Sequence, residues 1–241
     1  MIETIQDLAG HPVQAFYPEG LTDPVDAVVV WLREESAPSL AESPDLLGLL
    51  QRHRLAALAP CESIPFWFDR VVPSFDPTTP PISWLRNTVL PFIAEKWNLR
   101  PPRIGIAGVG WGGQGALRAA YLHPDQFPVV AVYNAAVDFN EIYGSGSELD
   151  ELFSSAETAR QQTVTLRMHP LNLPRKQWHG LDQQSPWFEG GERLLSKIHS
   201  IGIACPPNFP PAANSLDPLC HFLADSLRET ISYVGLPIRK E

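Results

Sequence analysis

Arg103-Ile104-Gly105-Ile106-Ala107-Gly108-Val109-Gly110-Trp111-Gly112-Gly113-Gln114-Gly115-Ala116-Leu117 changes character in the middle. After Arg103 the first half holds only apolar residues and glycine, as a strand does when both of its faces are covered. In the second half Gly112, Gly115, Ala116 and Ala119 place small residues on one helical face, so the helix can press close against a sheet. The stretch therefore reads as a buried strand, a sharp turn and a helix.

The same alternation extends in both directions. Short apolar, β-branched runs at Val13–Tyr17, Ala27–Leu32, Leu55–Ala59, Arg103–Val109, Val129–Asn134, Gln177–Leu181 and Gly202–Cys205 predict strands. Between them Ile82, Leu85, Val89, Ile93 and Trp97 recur at helical spacing, and Leu219, Phe222, Leu223, Leu227, Ile231 and Val234 do so near the end. Strands alternating with helices predict an α/β fold, with a mostly parallel central sheet flanked by helices on both faces. Three segments break the rhythm: Pro60–Pro81, Phe139–Pro174 and Pro206–Pro218. They are rich in prolines and aromatics and are expected to form the walls of a cleft, with 139–175 as a cap or excursion. No repeat or linker divides the chain, so residues 1–241 are expected to form a single domain.

Composition bounds the function. At 241 residues, 44% hydrophobic and 19% charged, the chain can bury one sizeable core. Its 25 prolines are about twice the usual share and point to stiff loops. A formal charge of −9, with no lysine or arginine cluster, argues against nucleic acid and against a membrane surface as partners. Cys61, Cys205 and Cys220 show no metal or redox spacing and cannot all pair, which fits a reducing, cytoplasmic location. The first residues carry no basic and apolar leader pattern, and no run approaches the length of a membrane span.

A tight strand-to-helix turn of this kind is the build of a nucleophile elbow, which holds a serine up at the sheet edge beside an oxyanion site at the helix N-terminus. Here the elbow is Gly108-Val109-Gly110-Trp111-Gly112, without a hydroxyl at its centre. Together with Gly113-Gln114-Gly115-Ala116-Leu117, His123-Pro124-Asp125-Gln126-Phe127-Pro128 and Phe66-Trp67-Phe68-Asp69-Arg70, the elbow resembles the esterase D family of α/β-hydrolases. That family includes S-formylglutathione hydrolases and carboxylesterases, and the resemblance extends from Ala27 to Val234.

The resemblance implies a single α/β-hydrolase domain and an ester hydrolase with a serine, histidine and aspartate triad. The nucleophile position falls on Gly110, and the histidine position falls on Asn214 in Ala212-Ala213-Asn214-Ser215-Leu216. Asp182 can occupy the acid position, with Gln183 and Gln184 as alternatives. Where the family's oxyanion turn follows Ala27–Leu32, this chain has Arg33-Glu34-Glu35, and carboxylates disfavour a developing oxyanion. Losing a triad nucleophile or base costs about a million-fold in turnover, roughly 8 kcal/mol of barrier. The triad positions therefore read as vestigial, and the leading expectation is a scaffold that has lost serine-hydrolase activity and acts as a binding or interaction protein. Glycine at position 110 would also relieve the strain that an elbow imposes on a residue with a side chain.

Other readings compete for the same residues. Gly108, Gly110 and Gly113 satisfy the dinucleotide-binding spacing of an oxidoreductase, but no acidic residue ends the next strand, Ala131-Val132-Tyr133-Asn134. A carboxylesterase or thioesterase with a different nucleophile would need Cys61, Ser145 or Ser147. No strand precedes the serines, which suit a loop or a helix cap, and nothing basic adjoins the cysteine. His123 and His221 suit surface or capping roles, and His169 and His179 have no ligand spacing, so neither a metal nor a cofactor is expected. Arg33, Trp67 and Trp111 are candidates to line a pocket, with core packing as the leading reading for both indoles. The expected partner is a small-molecule ligand or a protein, and the resemblance leaves a homodimer open.

Overall fold

Val28-Val29-Val30-Trp31-Leu32 is apolar at every position because its strand is covered on both sides. Val28, Val30 and Leu32 enter one core with Trp84, Leu85, Val89, Ile93 and Ala116. Val29 and Trp31 point the other way, into a second core with Leu46, Leu50, Leu219, Leu223 and Leu227. The two-residue period of a strand assigns the side chains to alternate faces even where hydrophobicity alone shows no alternation.

The computed structural model describes residues 1–34, 37–61, 66–210 and 215–236, with only the backbone at Asn140 and Glu141. The strands are β1 (Ile2–Leu8), β2 (His11–Phe16), β3 (Val28–Leu32), β4 (Ala56–Pro60), β5 (Ile104–Val109), β6 (Val129–Tyr133) and β7 (Lys176–Gly180). They form one sheet in the order β1-β2-β4-β3-β5-β6-β7. The pairs β1–β2 and β2–β4 are antiparallel and the rest are parallel. Helices α1 (Pro44–Arg52) and α9 (Leu216–Tyr233) cover one face. The other face is covered by α2 (Pro81–Trp84) and α3 (Leu90–Trp97), joined through a π turn at Leu85–Val89, by α4 (Gly110–Leu122) and by α8 (Phe188–Ser200). The single helix predicted from Ile82 to Trp97 is thus continuous but locally unwound just before Pro91, which has no N–H to donate.

Two strand expectations change. The segment Ile2–Leu8 forms an edge strand that the pattern does not reveal, because only every third residue is even half-buried. Gly202–Cys205 is not a strand. Gly202 takes φ +84° to end the turn after α8, donating its N–H to the carbonyl of His199, and the chain reaches the sheet only at Asn208. There the Asn208 N–H donates to His179 O at 3.1 Å, and Leu181 N–H donates to Asn208 O at 2.8 Å. The expected excursion folds as short helices α5 (Phe139–Ile142), α6 (Glu148–Leu152) and α7 (Ala156–Arg160), followed by a 3-10 turn at Val164–Leu166.

Arg118, fully buried in α4, ties this excursion to the body of the fold. Its guanidinium donates to Asp69, to the carbonyl of Gln162 at 2.7 Å and to the Gln162 side chain at 3.0 Å, and it lies over the ring of Phe68. Burial pulls the guanidinium's proton affinity down, and the Asp69 carboxylate opposes that effect. Phe66-Trp67-Phe68-Asp69 thus earns its place in the sequence pattern as the mate of the elbow helix.

Asp69→Ala leaves a buried cation short of its counter-charge and is expected to destabilise the fold by about 3 kcal/mol, read by urea denaturation. His179, buried in β7, is held near a pKa of 4 by burial, against about 6.5 when unfolded. Between those values the unfolded chain binds the extra proton, so stability rises with pH. Acidifying from about 6.5 to 4 should remove about 3 kcal/mol through this group. His179→Gln should flatten the profile over that window, and an unchanged profile would refute the assignment.

Candidate functional site

The site begins with how closely α4 approaches the sheet. A Cβ on Gly112 would overlap the carbonyl of Leu32 at the end of β3, and one on Gly115 would overlap the indole of Trp67. Only hydrogens at these two positions allow the helix to start against the sheet edge. The turn itself falls on Gly110, at φ +54°, directly after extended Val109 at φ −122° and ψ 144°. Its carbonyl accepts the N–H of Ala136 at 3.0 Å, which pins the turn from the segment after β6. The strand thus passes into the helix through a single left-handed residue. Glycine adopts this conformation without the penalty that a Cβ carries.

Over Gly110 stands the side chain of Glu34, from the loop that leaves β3. A Cβ on Gly110 would stand 2.5 Å from the Glu34 carboxyl carbon and 2.6 Å from each of its oxygens. The carboxylate therefore fills the seat where a serine side chain would project. Burial raises its pKa, and a hydrogen bond from Trp187 works in the opposite direction. Around it lie Trp111 and Trp187 with ring centroids 5.2 Å apart, and Phe66 and Phe139 meet Trp111 at 5.0 and 6.4 Å.

Arg33 is turned away from this seat. Its guanidinium donates to Ala37 O at 2.6 Å and to Cys61 O at 2.8 Å, bracing the β3 exit loop against the end of β4. It also lines a cavity of about 740 Å³ at the strand ends, together with Trp31, Val109, Tyr133, Ser215 and Leu216. Val109 and Arg33 immediately precede Gly110 and Glu34 in the chain, but neither Gly110 nor Glu34 lines the cavity. Asp182 follows β7. Its N–H donates to Asn134 Oδ1 at 2.7 Å, and its carboxylate accepts the Gln184 N–H at 2.9 Å. After burial, the Asp182 carboxylate is the next influence that raises the Tyr133 phenol's pKa. Asn214 lies outside the described residues, while Ser215 next to it lines the cavity.

The remaining candidates separate from this cluster. Trp67, a candidate for the pocket wall, takes its leading reading and is core: it is 2% exposed, because the side-chain-free Gly115 draws its indole under α4. Trp111 is half-buried among the aromatics beside the elbow. Ser147 is the residue that begins α6, and Ser145 is exposed in the turn before it. Cys61 is half-exposed just beyond β4 and meets Arg33 through its carbonyl. His123 ends α4, His221 is exposed on α9, and among the described residues no group of three or more His, Cys, Asp or Glu could hold a metal. The dinucleotide reading does not suit this arrangement, since the Glu34 carboxylate occupies the space beside the helix N-terminus that a pyrophosphate would need. Trp187 and Arg118 escaped the sequence reading. Trp187 comes from a loop far along the chain and only folding brings it to Glu34, whereas Arg33-Glu34-Glu35 already signalled the carboxylate.

Gly110→Ser places a side chain in a left-handed residue and against a carboxylate, and is expected to destabilise the protein by about 1–3 kcal/mol. Glu34→Ala should relieve the second part. Because the carboxyl is the far end of a flexible side chain, a double-mutant cycle by chemical denaturation should give a coupling of about 0.5 kcal/mol, and strict additivity would refute the contact.

The family model described as "Putative esterase" matches residues 59–200, which include the elbow and Asp182. No curated protein matches the chain. Solved structures do. A ferulic acid esterase superposes with a TM-score of 0.70 at 14% identity, covering 97% of this chain and 96% of its own. An S-formylglutathione hydrolase from Agrobacterium tumefaciens gives 0.70 at 14% identity, covering 97% and 95%. A protein from Lactobacillus plantarum WCFS1, described as a carboxylesterase, gives 0.67 at 12% identity and covers 99% of each chain. At such identities the likeness establishes the fold, a single α/β-hydrolase sheet with its helices. With more than half of its residues matched by the family model, the chain belongs to that esterase family of the α/β-hydrolases.

Proposed function

We propose that this chain keeps the esterase scaffold, has lost serine-hydrolase activity, and uses the elbow end of the sheet to bind a small molecule. The observation that carries this reading is Gly110 lying under the Glu34 carboxylate. The elbow has no hydroxyl to attack with, and the space a hydroxyl would need is filled. Asn214 supports the same conclusion from sequence, since an amide cannot take a proton from a nucleophile near neutral pH. The cavity of about 740 Å³, walled by Trp31, Val109, Leu46 and Leu216 and by polar groups that include Arg33, Asp45, Arg52, Tyr133 and Asp217, has the size of a small-molecule site.

A second reading, hydrolysis by a group other than serine, has one observation in its favour: an acid with raised proton affinity stands in the nucleophile's seat. Ser145 and Ser147 lend it no support, because they stand in the turn that leads into α6, and Cys61 lies just beyond β4 and accepts from Arg33 through its carbonyl.

Incubation with a fluorophosphonate probe tests the loss of serine chemistry. No stoichiometric labelling of the native protein is expected, and labelling appears only when Gly110→Ser, Asn214→His and Glu34→Ala are combined. Full labelling of the unaltered protein would overturn the proposal.

A further inference from the structure

We propose that Glu34 is an acyl acceptor, a carboxylate nucleophile that takes over the serine's seat and acts on aryl esters and thioesters bound beside the elbow. The inference rests on the reading that serine chemistry is lost at Gly110, and names the chemistry left to the same site.

Three observations meet at this residue. Both carboxylate oxygens stand 2.6 Å from where a Cβ on Gly110 would be, so either can attack from the place a serine oxygen would occupy. Beneath them begins α4, a helix of 13 residues, whose first N–H groups have no partner within the helix. The N–H of Trp111, the residue after the elbow position, is the donor that this architecture aims at an acyl oxyanion. Burial makes the carboxylate a stronger base, hence a better nucleophile, than an exposed glutamate.

In the step proposed, one Glu34 oxygen forms a bond to the acyl carbon while the carbonyl π pair moves onto oxygen beside the Trp111 N–H. Collapse of that intermediate breaks the bond to the aryloxide or thiolate, which leaves with the electron pair. Water then adds to the resulting mixed anhydride, releasing the carboxylic acid and a proton and returning Glu34 as a carboxylate. No oxidation or reduction is involved. An anhydride is higher in energy than a simple alkyl ester, so only acyl groups on good leaving groups can react, which defines the substrate class.

The experiment uses p-nitrophenyl acetate and an acetyl thioester with the intact protein, Glu34→Gln and Glu34→Asp, each with and without prior fluorophosphonate. The expected result is a fluorophosphonate-insensitive, protein-dependent rate that falls about tenfold or more in Glu34→Gln. With hydroxylamine present during turnover, peptide mass spectrometry should find Glu34 of the native protein converted to its hydroxamate, a readout independent of whether any variant folds. Glu34→Asp, with its carboxylate drawn back by one methylene, should lose most of the rate while retaining the charge. A rate abolished by fluorophosphonate overturns the loss of serine chemistry and this inference together. No protein-dependent rate, a rate that survives Glu34→Gln, or a Glu34-dependent rate without hydroxamate overturns this inference alone.

Discussion

The molecule depends on how closely one helix approaches one sheet. α4 starts where Gly112 meets the Leu32 carbonyl, a contact without room for a methyl group. That approach sets the angle at which the chain leaves β5, and so forces the left-handed turn at Gly110. It also decides the burial of everything on α4: Ala116, Leu117, Ala119 and Ala120 have no exposed surface, and neither does Arg118. A charged residue in such a place needs compensation. The Asp69 carboxylate and Gln162 supply it, and in doing so they fix two neighbouring segments to the helix.

Much of this was legible from residues near one another in sequence. The spacing of Gly112, Gly115, Ala116 and Ala119 gave the close helix face, and the uninterrupted apolar run of β3 gave a strand covered on both sides. The edge strand β1 was not legible, because a strand touching a neighbour on one side only needs few buried residues. Gly202–Cys205 misled for a local reason. A glycine that ends a helix and a glycine that begins a strand look the same in sequence, and only the hydrogen bond from Gly202 to His199 tells them apart.

The site divides in the same way. That Gly110 cannot attack an ester follows from its identity alone. That another group stands over it does not, since the contact joins two loops at the ends of adjacent strands and its hydrogen-bond partner, Trp187, lies about 150 residues further along. The order β3–β5 in the sheet makes the contact possible: Leu32 pairs in register with Gly108, so the residues two places beyond each strand pair meet at the elbow. The opposite fate of Trp67 has the same origin, for the missing side chain at Gly115 leaves a slot in the core that only a large flat ring fills.

The pairing of Glu34 with Gly110 also constrains how this lineage can change. Two of the four glycine codons become serine codons by a single base change, so a hydroxyl at this position can be within mutational reach. Yet a serine arriving alone meets a carboxylate in its place, and a shortened Glu34 arriving alone uncovers a seat with nothing to put there. Neither first step brings the benefit of the second. The side chain of one loop thus acts as a ratchet on the other, and holds the protein on its present branch while the sheet beneath both remains that of an esterase.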